Sequence, residues 1–323
     1  MIENIKVYVK TPARLHLGLI DLNGDMGRIF GGLGVAIDHP NVILEAQKSQ
    51  TLTISGEKTE LTQNLATKFM ETYKIKEKFA IDVKRVIPEH IGLGSGTQLA
   101  LAIAASISRL FGLTTSPSEW AVAMGRTAQS GVGTGVFEQG GLVVEAGKNT
   151  QNPSCQIIPI ICRQHFPEEW RFVIAIPNEK KGLSKQAETN AFKKLPPMPA
   201  QDAGKICRLT MMKLLPAVAE KDIENFGEAL TQIQNIVGDS FAKAQGGRFA
   251  SSPAAKTVGF MLKNGAYGGG QSSWGPTVYG VVKSAEAQDL QVKTKAFLES
   301  EVGGDVFVAK ADNHGAVIRV VKT

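Results

Sequence analysis

Hydrophobic and polar residues alternate along several short stretches in the first half of the chain, which is typical of strands with one buried face. Between two of these stretches, apolar side chains recur at every fourth position at Leu61, Leu65, Phe69 and Tyr73. This spacing predicts an amphipathic helix that covers one face of a sheet. The predicted strands lie at about residues 5–10, 42–47, 51–55, 79–86, 142–146 and 172–176.

The hydrophobic pattern changes near residue 168, where longer segments with helical spacing of apolar residues replace the short strand-like stretches. We therefore predict two domains, residues 1–167 and residues 168–323, each combining helices and strands in an α+β arrangement. The second domain is expected to contain helices at about 184–194, 201–219, 223–236 and 253–263, and strands at 277–282, 305–309 and 316–321.

Composition narrows the class of protein. The chain has 323 residues, of which 43% are hydrophobic and 20% charged, a balance typical of a soluble globular protein. We expect no membrane span and no signal peptide, and therefore a cytoplasmic protein. The net charge of +6 is spread over scattered lysines, and aromatic residues make up only 7% of the chain. This pattern argues against nucleic-acid binding and fits an enzyme for anionic small molecules.

One glycine-rich turn leads directly into a long apolar helix, in the stretch "PEHIGLGSGTQLALAIAASISRLFG" at residues 88–112. Glycines allow a ligand to approach the backbone, and a helix start directs unpaired N–H groups toward the turn. The alternative is a tight turn whose glycines serve only close packing. The predicted phosphate-binding residues here are Gly92, Gly94, Ser95, Gly96 and Thr97.

Two further glycine-rich segments have the same character. Residues 126–141 offer Ser130 and Thr134, and residues 264–280 offer Gln271, Ser272 and Ser273. Loops rich in hydrogen-bond donors between core elements are often binding loops. We therefore predict that all three segments meet in one cleft and bind one extended anionic ligand.

Several long motifs resemble a known family. The run from Pro88 to Gly96 resembles the phosphate loop of the GHMP superfamily, which includes galactokinase, homoserine kinase and mevalonate kinase. The segments "TPARLHLGLIDLNGDMGRIFGGLGVAID", "GRTAQSGVGTGVFEQGG" and "GQSSWGPTVYG" resemble the beta-ribofuranosylaminobenzene 5'-phosphate synthase family. The resemblance covers nearly the whole chain. It implies a two-domain GHMP-kinase-like fold, with an N-terminal domain like domain 2 of ribosomal protein S5, a ferredoxin-like C-terminal domain, and assembly as a homodimer.

That resemblance also implies a reaction. Family members join 5-phosphoribosyl 1-diphosphate to 4-aminobenzoate or 4-hydroxybenzoate, releasing CO2 and diphosphate, early in tetrahydromethanopterin biosynthesis. The segment 126–141 lacks the Asp that many GHMP kinases carry there, and no Asp-Asp or Glu-Asp pair occurs in the chain. The alternatives left open are an ATP-dependent small-molecule kinase and a non-catalytic binding protein.

The candidate catalytic residues are interpreted against this reaction. An arginine can pair with a carboxylate or phosphate in two-point geometry, so Arg14 and Arg28 are candidates, although Arg14 could equally be a structural charge at a strand end. His16 is a second candidate, against the reading of a core histidine. Asp21 could bind Mg²⁺, orient His16 or start a turn. Glu138 is the further acidic candidate, and Ser95 and Glu138 are the predicted ligands of Mg²⁺.

Overall fold

The computed structural model describes residues 5–126, 130–179, 191–192 and 195–322. Its largest feature is an antiparallel hairpin of two long strands, β1 (Ile5–Asp21) and β2 (Arg28–Lys48). Both strands are much longer than the segments predicted at 5–10 and 42–47. The register between them shifts at Thr11/Ala13 and again at His16/Gly18. Such irregularities bend a strand and redirect its side chains, and the second one lies next to His16.

The hairpin is the centre of an eight-stranded sheet, as far as the described residues show, in the order β12-β1-β2-β4-β3. Strands β5 and β6 also pair with β2, and β7 pairs with β5. A second, four-stranded sheet has the order β11-β8-β10-β9. The remaining strands are β3 (Thr53–Gly56), β4 (Phe79–Arg85), β5 (Leu142–Glu145), β6 (Lys148–Asn149), β7 (Ile160–Gln164), β8 (Trp170–Pro177), β9 (Gly268–Gln271), β10 (Val278–Lys283), β11 (Gly304–Ala309) and β12 (Val317–Lys322).

Helices pack on both sheets. The first group is α1 (Thr59–Tyr73), α2 (Ser95–Phe111), α3 (Pro117–Ala123) and α4 (Val132–Gln139). The second group is α5 (Ala200–Leu209), α6 (Leu215–Glu220), α7 (Ile223–Gln245), α8 (Ser252–Lys263) and α9 (Ala287–Glu301), and a π-helical turn at Thr210–Leu214 joins α5 to α6. Helix α2 is apolar on all sides, and its residues from Gln98 to Ser108 are buried. This helix therefore lies inside the molecule, where its first turn is held firmly.

The two halves are not separate bodies. One hydrophobic cluster extends from Val7 and Leu15 in the first sheet to Phe172 and Phe226 in the second half. The predicted boundary at 167/168 falls between β7 and β8, which belong to different sheets. Strand β12 nevertheless returns to the first sheet and pairs with β1. The last residues of the chain therefore lie in the first sheet, although they were predicted in the second domain.

Several predicted elements need correction. Residues 132–139 form α4 and residues 268–271 form β9, whereas both were predicted as loops. Helix α9 was not predicted, because its apolar stripe is weak in a segment rich in Lys, Glu and Gln. Most of the helix predicted at 184–194 lies outside the described residues. No helix within the described ranges is both long and apolar enough to cross a membrane.

Candidate active site

The three glycine-rich segments meet at one cavity, as predicted. A methyl group on Gly92 would lie 2.3 Å from the carbonyl oxygen of Ser272, and one on Gly133 would lie 2.9 Å from the side chain of Thr97. The cavity lies at this junction. The described residues that line it are Arg14, His16, Gly18, Leu19, Thr97, Arg126, Ser130, Gly133, Phe192, Gln234, Val237, Gly238, Phe241, Gln245, Arg248, Gln271, Ser273 and Trp274.

The start of α2 lies next to this cavity. Thr97 of its first turn lines the cavity, whereas Gly92, Gly94, Ser95 and Gly96 are not among the lining residues. Gly94 precedes the helix in a left-handed conformation, with φ +81°, and no side chain caps the helix. The first N–H groups of a helix have no partner inside it, and the helix dipole is positive at this end. Ser95 and Gly96 are the first residues of the helix, and both are partly exposed. The first turn can therefore receive phosphate oxygens.

Two arginines flank that turn. A methyl group on Gly94 would lie 3.0 Å from Cγ of Arg14, and one on Gly96 would lie 3.0 Å from a terminal nitrogen of Arg126. Arg14 also donates to the carbonyl oxygen of Gly92. The Nε atom of Arg126 is buried and has no hydrogen-bond partner within the described part of the chain. Burial lowers the pKa of Arg126 from its ordinary value. Both guanidinium groups therefore stand beside the helix start where a phosphate would bind.

Arg126 was not selected as a site residue from the sequence. It is far from the phosphate loop along the chain, and its neighbours give no periodic signal. A weak signal was present, because Arg126 opens one of the three glycine-rich segments. Arg14 and Arg126 thus both lie beside the start of α2.

Ser272 connects the strand, the loop and the last glycine-rich segment. Its hydroxyl donates to the carbonyl oxygen of Gly92 at 2.7 Å and accepts from the backbone N–H of His16 at 2.9 Å. The residue is fully buried. With both bonds made inside the protein, Ser272 links the glycine-rich turn before α2 to β1. It is not among the residues that line the cavity, and its predicted phosphate contact stays a prediction.

His16 is buried at the centre of the cavity wall. Burial, followed by the neighbouring charge of Arg14, lowers the pKa of His16 to about 3. Its Nε2 atom lies 3.5 Å from the hydroxyl of Ser130, which also accepts from the N–H of Val132 at 3.1 Å. The imidazole is therefore neutral near pH 7 and offers a hydrogen bond instead of a charge.

A buried carboxylate, that of Glu145, contacts the backbone next to Ser130. Glu145 is fully buried and accepts hydrogen bonds from the N–H groups of Gly131 at 3.2 Å and Gly147 at 2.5 Å. Burial raises the pKa of Glu145, while these bonds, the Ser130 hydroxyl and the charge of Arg28 act in the opposite direction. Glu145 therefore holds the start of α4 and the turn after β5 in fixed positions.

Arg28 and Asp21 do not line the cavity. The guanidinium of Arg28 donates to the carbonyl oxygens of Ala146 at 2.7 Å and Gly147 at 3.0 Å. One carboxylate oxygen of Asp21 accepts from the N–H groups of Asn23 at 2.6 Å and Gly24 at 2.9 Å, which forms the turn of the hairpin. Asp21 thus starts the hairpin turn, which is one of the three roles predicted for it. Arg28 bonds to the protein's own backbone, and its predicted contact with an anionic substrate stays a prediction.

The other residues predicted to bind phosphate also fall into two groups, those that line the cavity and those that do not. Ser130, Thr97 and Ser273 line the cavity. Gln271 lines it as well, but its amide already accepts from the N–H of Ala250 and donates to the carbonyl oxygen of Ser273. Thr134 is buried inside α4 and is not among the lining residues, so its predicted phosphate contact is not seen.

The predicted Mg²⁺ ligands, Ser95 and Glu138, are not among the residues that line the cavity, and Glu138 is exposed on α4. The described residues contain no group of three or more His, Cys, Asp or Glu side chains that could hold a metal ion. Divalent magnesium prefers carboxylate oxygens, and the lining residues named above include no Asp or Glu. These residues thus fit phosphate and carboxylate groups but do not fit a metal held by the protein.

Sequence comparison finds relatives that match most of the chain. The family model for the GHMP kinases N terminal domain matches residues 60–140, and the model for GHMP kinases C terminal matches residues 214–299. A curated protein of Archaeoglobus fulgidus named beta-ribofuranosylphenol 5'-phosphate synthase is 36% identical, covering 97% of this chain and 99% of its own length. A protein of the same name from Methanocaldococcus jannaschii is 33% identical, covering 95% and 98% of the two chains.

Solved structures show a similar fold. The galactokinase of Lactococcus lactis complexed with galactose superposes with a TM-score of 0.70 at 12% identity, covering 97% of this chain and 95% of that chain. A homoserine kinase from Cytophaga hutchinsonii gives a TM-score of 0.65 at 18% identity, covering 99% and 98% of the two chains. At these identities the likeness concerns the fold alone.

Proposed function

Because this chain belongs to the beta-ribofuranosylphenol 5'-phosphate synthase family and has the GHMP fold, we propose that it joins 5-phosphoribosyl 1-diphosphate to an aromatic acid with loss of CO2 and diphosphate. Membership of the family makes the chain an enzyme that acts on small molecules. The curated relatives are named for a phenol product, which favours 4-hydroxybenzoate over 4-aminobenzoate as the acceptor.

The observation that carries this proposal is the charge of the cavity. Arg14 and Arg126 flank the uncapped start of α2, and the described lining residues include no Asp or Glu. A kinase reaction at a hydroxyl is commonly assisted by a carboxylate base. Transfer of a ribosyl group to a ring carbon does not need such a base, because the electrons of the C–CO2⁻ bond restore the aromatic ring. The cavity supports this reaction over the ATP-dependent kinase alternative.

The protein's contribution is electrostatic. As the bond between ribose C1 and the diphosphate oxygen breaks, negative charge grows on the leaving group. The N–H groups of the first turn of α2 and the guanidinium groups of Arg14 and Arg126 are already oriented toward that position. Donors held in place before the reaction stabilise developing charge at no cost of reorganisation.

Magnesium, in this proposal, arrives as a counter-ion of the diphosphate and not as an ion bound by protein carboxylates. We further propose a cytoplasmic location and a homodimeric assembly. The proposed substrates are small and anionic, as expected for a small-molecule enzyme. No step of the proposed reaction depends on a second copy of the chain.

The test uses the purified protein with Mg²⁺, 5-phosphoribosyl 1-diphosphate and carboxyl-labelled 4-hydroxybenzoate, without ATP. We expect labelled CO2 and diphosphate in equal amounts. The variant Arg126→Gln should raise KM for the ribosyl substrate or lower kcat by roughly 10- to 100-fold, since a charge-assisted hydrogen bond contributes about 1.5–3 kcal/mol.

The matched control is Arg319→Gln, which changes an exposed arginine on β12 outside the cavity lining. It should leave both constants unchanged. ATP-dependent phosphorylation of an alcohol, with no CO2 from 4-hydroxybenzoate or 4-aminobenzoate, would replace the proposed reaction by the kinase alternative.

A further inference from the structure

Three aromatic side chains form one wall of the cavity. The rings of Phe241 and Trp274 are perpendicular, with centroids 4.7 Å apart, and Phe192 packs edge-on against them at 5.6 Å and 5.4 Å. Phe241 and Trp274 keep 8% and 7% of their surface exposed, and all three rings line the cavity. Aromatic rings favour this edge-to-face packing, so each ring fixes the orientation of the others.

This aromatic wall differs in chemistry from the rest of the cavity. Its rings come from the second half of the chain, whereas Arg14 and Arg126 come from the first half. Arg248, from the second half, also lines the cavity, and its charge is paired with Asp239. Leu19 and Val237 extend the apolar surface. The cavity therefore offers a cationic side for phosphate groups and an apolar, ring-lined side for a flat apolar group.

We propose that the aromatic wall, made of Phe192, Phe241 and Trp274, is the subsite that binds the ring of the aromatic acid and selects it. This subsite rests on the proposed function, since it holds one of that reaction's two substrates. The ring packs on the aromatic wall, and its carboxylate faces the cationic side of the cavity, where Arg14 and Arg126 hold the diphosphate of the other substrate. That orientation directs the carboxylate-bearing carbon toward the ribosyl group held at the phosphate loop.

The orientation accounts for the bonds that change. The C1–oxygen bond to diphosphate breaks, and its electron pair leaves with diphosphate. The carboxylate-bearing ring carbon forms the new bond to C1, and the C–CO2⁻ bond then breaks, returning its electrons to the ring as CO2 departs. The aromatic wall also excludes water. If water reached C1 instead, its oxygen would bond to C1, a proton would pass to solvent, and ribose 5-phosphate would form without CO2.

Two variants test the aromatic wall by kinetics. Phe241→Leu and Trp274→Leu should raise KM for 4-hydroxybenzoate about tenfold or more, while KM for 5-phosphoribosyl 1-diphosphate changes by less than about twofold. Diphosphate release should exceed CO2 release in both variants, because water gains access to C1. The control Phe260→Leu makes the same change at a ring that stacks on Phe297, outside the cavity lining, and should change neither KM nor the ratio of products.

Binding is measured separately by tryptophan fluorescence. The chain has three tryptophans, and Trp120 and Trp170 are 2% and 1% exposed and do not line the cavity. Addition of 4-hydroxybenzoate should change the fluorescence emission of the wild-type protein, and this change should disappear in Trp274→Phe. The Trp274→Phe variant keeps an aromatic ring at that position, so it can be measured even if the leucine variants do not fold.

The possible outcomes distinguish this subsite from the proposed function. A fluorescence change that persists in Trp274→Phe, or leucine variants that behave like Phe260→Leu, would overturn the aryl subsite even if the enzyme releases CO2. Absence of CO2 release by the wild-type protein would instead refute the proposed reaction. The aryl subsite would then be judged on the fluorescence change and its loss in Trp274→Phe.

Discussion

At the scale of single residues, the site depends on side chains whose ordinary properties are changed by burial. His16 has 7% of its surface exposed, and its pKa falls to about 3 because burial and the charge of Arg14 both disfavour the imidazolium. A positive His16 beside Arg14 would leave two cations in a small volume. The neutral imidazole avoids that repulsion and keeps the hydrogen-bonding contact with Ser130 available.

This shift predicts a pH dependence of stability. Between pH 6.5 and pH 3 the unfolded chain binds a proton at His16 that the folded chain does not, so the free energy of unfolding decreases as the pH falls through this window. The contribution of one such proton is about 1.4 kcal/mol per pH unit. Urea unfolding at several pH values should therefore show a shallower acid dependence for His16→Gln than for the wild-type protein. Parallel slopes for the two proteins would contradict the buried, neutral state.

At the scale of elements, the turn before α2 shows that glycines of one loop serve different purposes. Gly92 has φ +86° and its backbone lies against the backbone of Ser272, whereas Gly96 lies inside the first turn of the helix, next to the guanidinium of Arg126. The first glycine is required by backbone packing. The second leaves room for the guanidinium.

The two positions should respond differently to the same substitution. Gly92→Ala places a methyl group 2.3 Å from a carbonyl oxygen in a left-handed conformation, and should lower the free energy of unfolding by at least about 2 kcal/mol. Gly96→Ala meets only the end of Arg126 and should retain the stability of the wild-type protein while weakening diphosphate binding. Urea unfolding and calorimetric titration with diphosphate measure the two effects. Equal losses of stability in both variants would contradict this division.

At the scale of the whole molecule, the cavity lies where the two halves of the chain join. Ser272 from the second half bonds to both Gly92 and His16 of the first half, and β12 completes the first sheet. One hydrophobic cluster runs through both halves. Residues of the site are therefore held in place by contacts that neither half makes alone.

This continuity predicts a single cooperative unfolding transition. Scanning calorimetry should show one peak, and diphosphate, which we propose binds at the junction, should raise the midpoint of the whole transition. Two peaks, or an increase in the midpoint of only one of two separate transitions, would contradict a shared core.

Much of the fold followed from the sequence because it depends on local patterns. The spacing of Leu61, Leu65 and Phe69 predicted α1, and the glycines before Thr97 predicted a turn into a helix; both elements are present. The sequence of residues 116–129 also predicts a helix start with a capping box of Ser116 and Glu119, and this capping box is formed at the start of α3. Helix α9 and the full lengths of β1 and β2 were missed, because weak or irregular hydrophobic periods are overridden by tertiary packing.

The sequence by itself determined the family and the α+β class, since long motifs and hydrophobic periods are local properties. It also predicted that the three glycine-rich segments meet, but only the packing of the chain brings them to one cavity. The tertiary structure alone decided which side chains face the cavity. It turned Arg28, Asp21 and Ser272 toward the protein's own backbone, left Glu138 exposed, and brought Arg126 to the phosphate loop. It also placed Phe192, Phe241 and Trp274 in one wall, because residues far apart along the chain become neighbours only when the two sheets and their helices pack together.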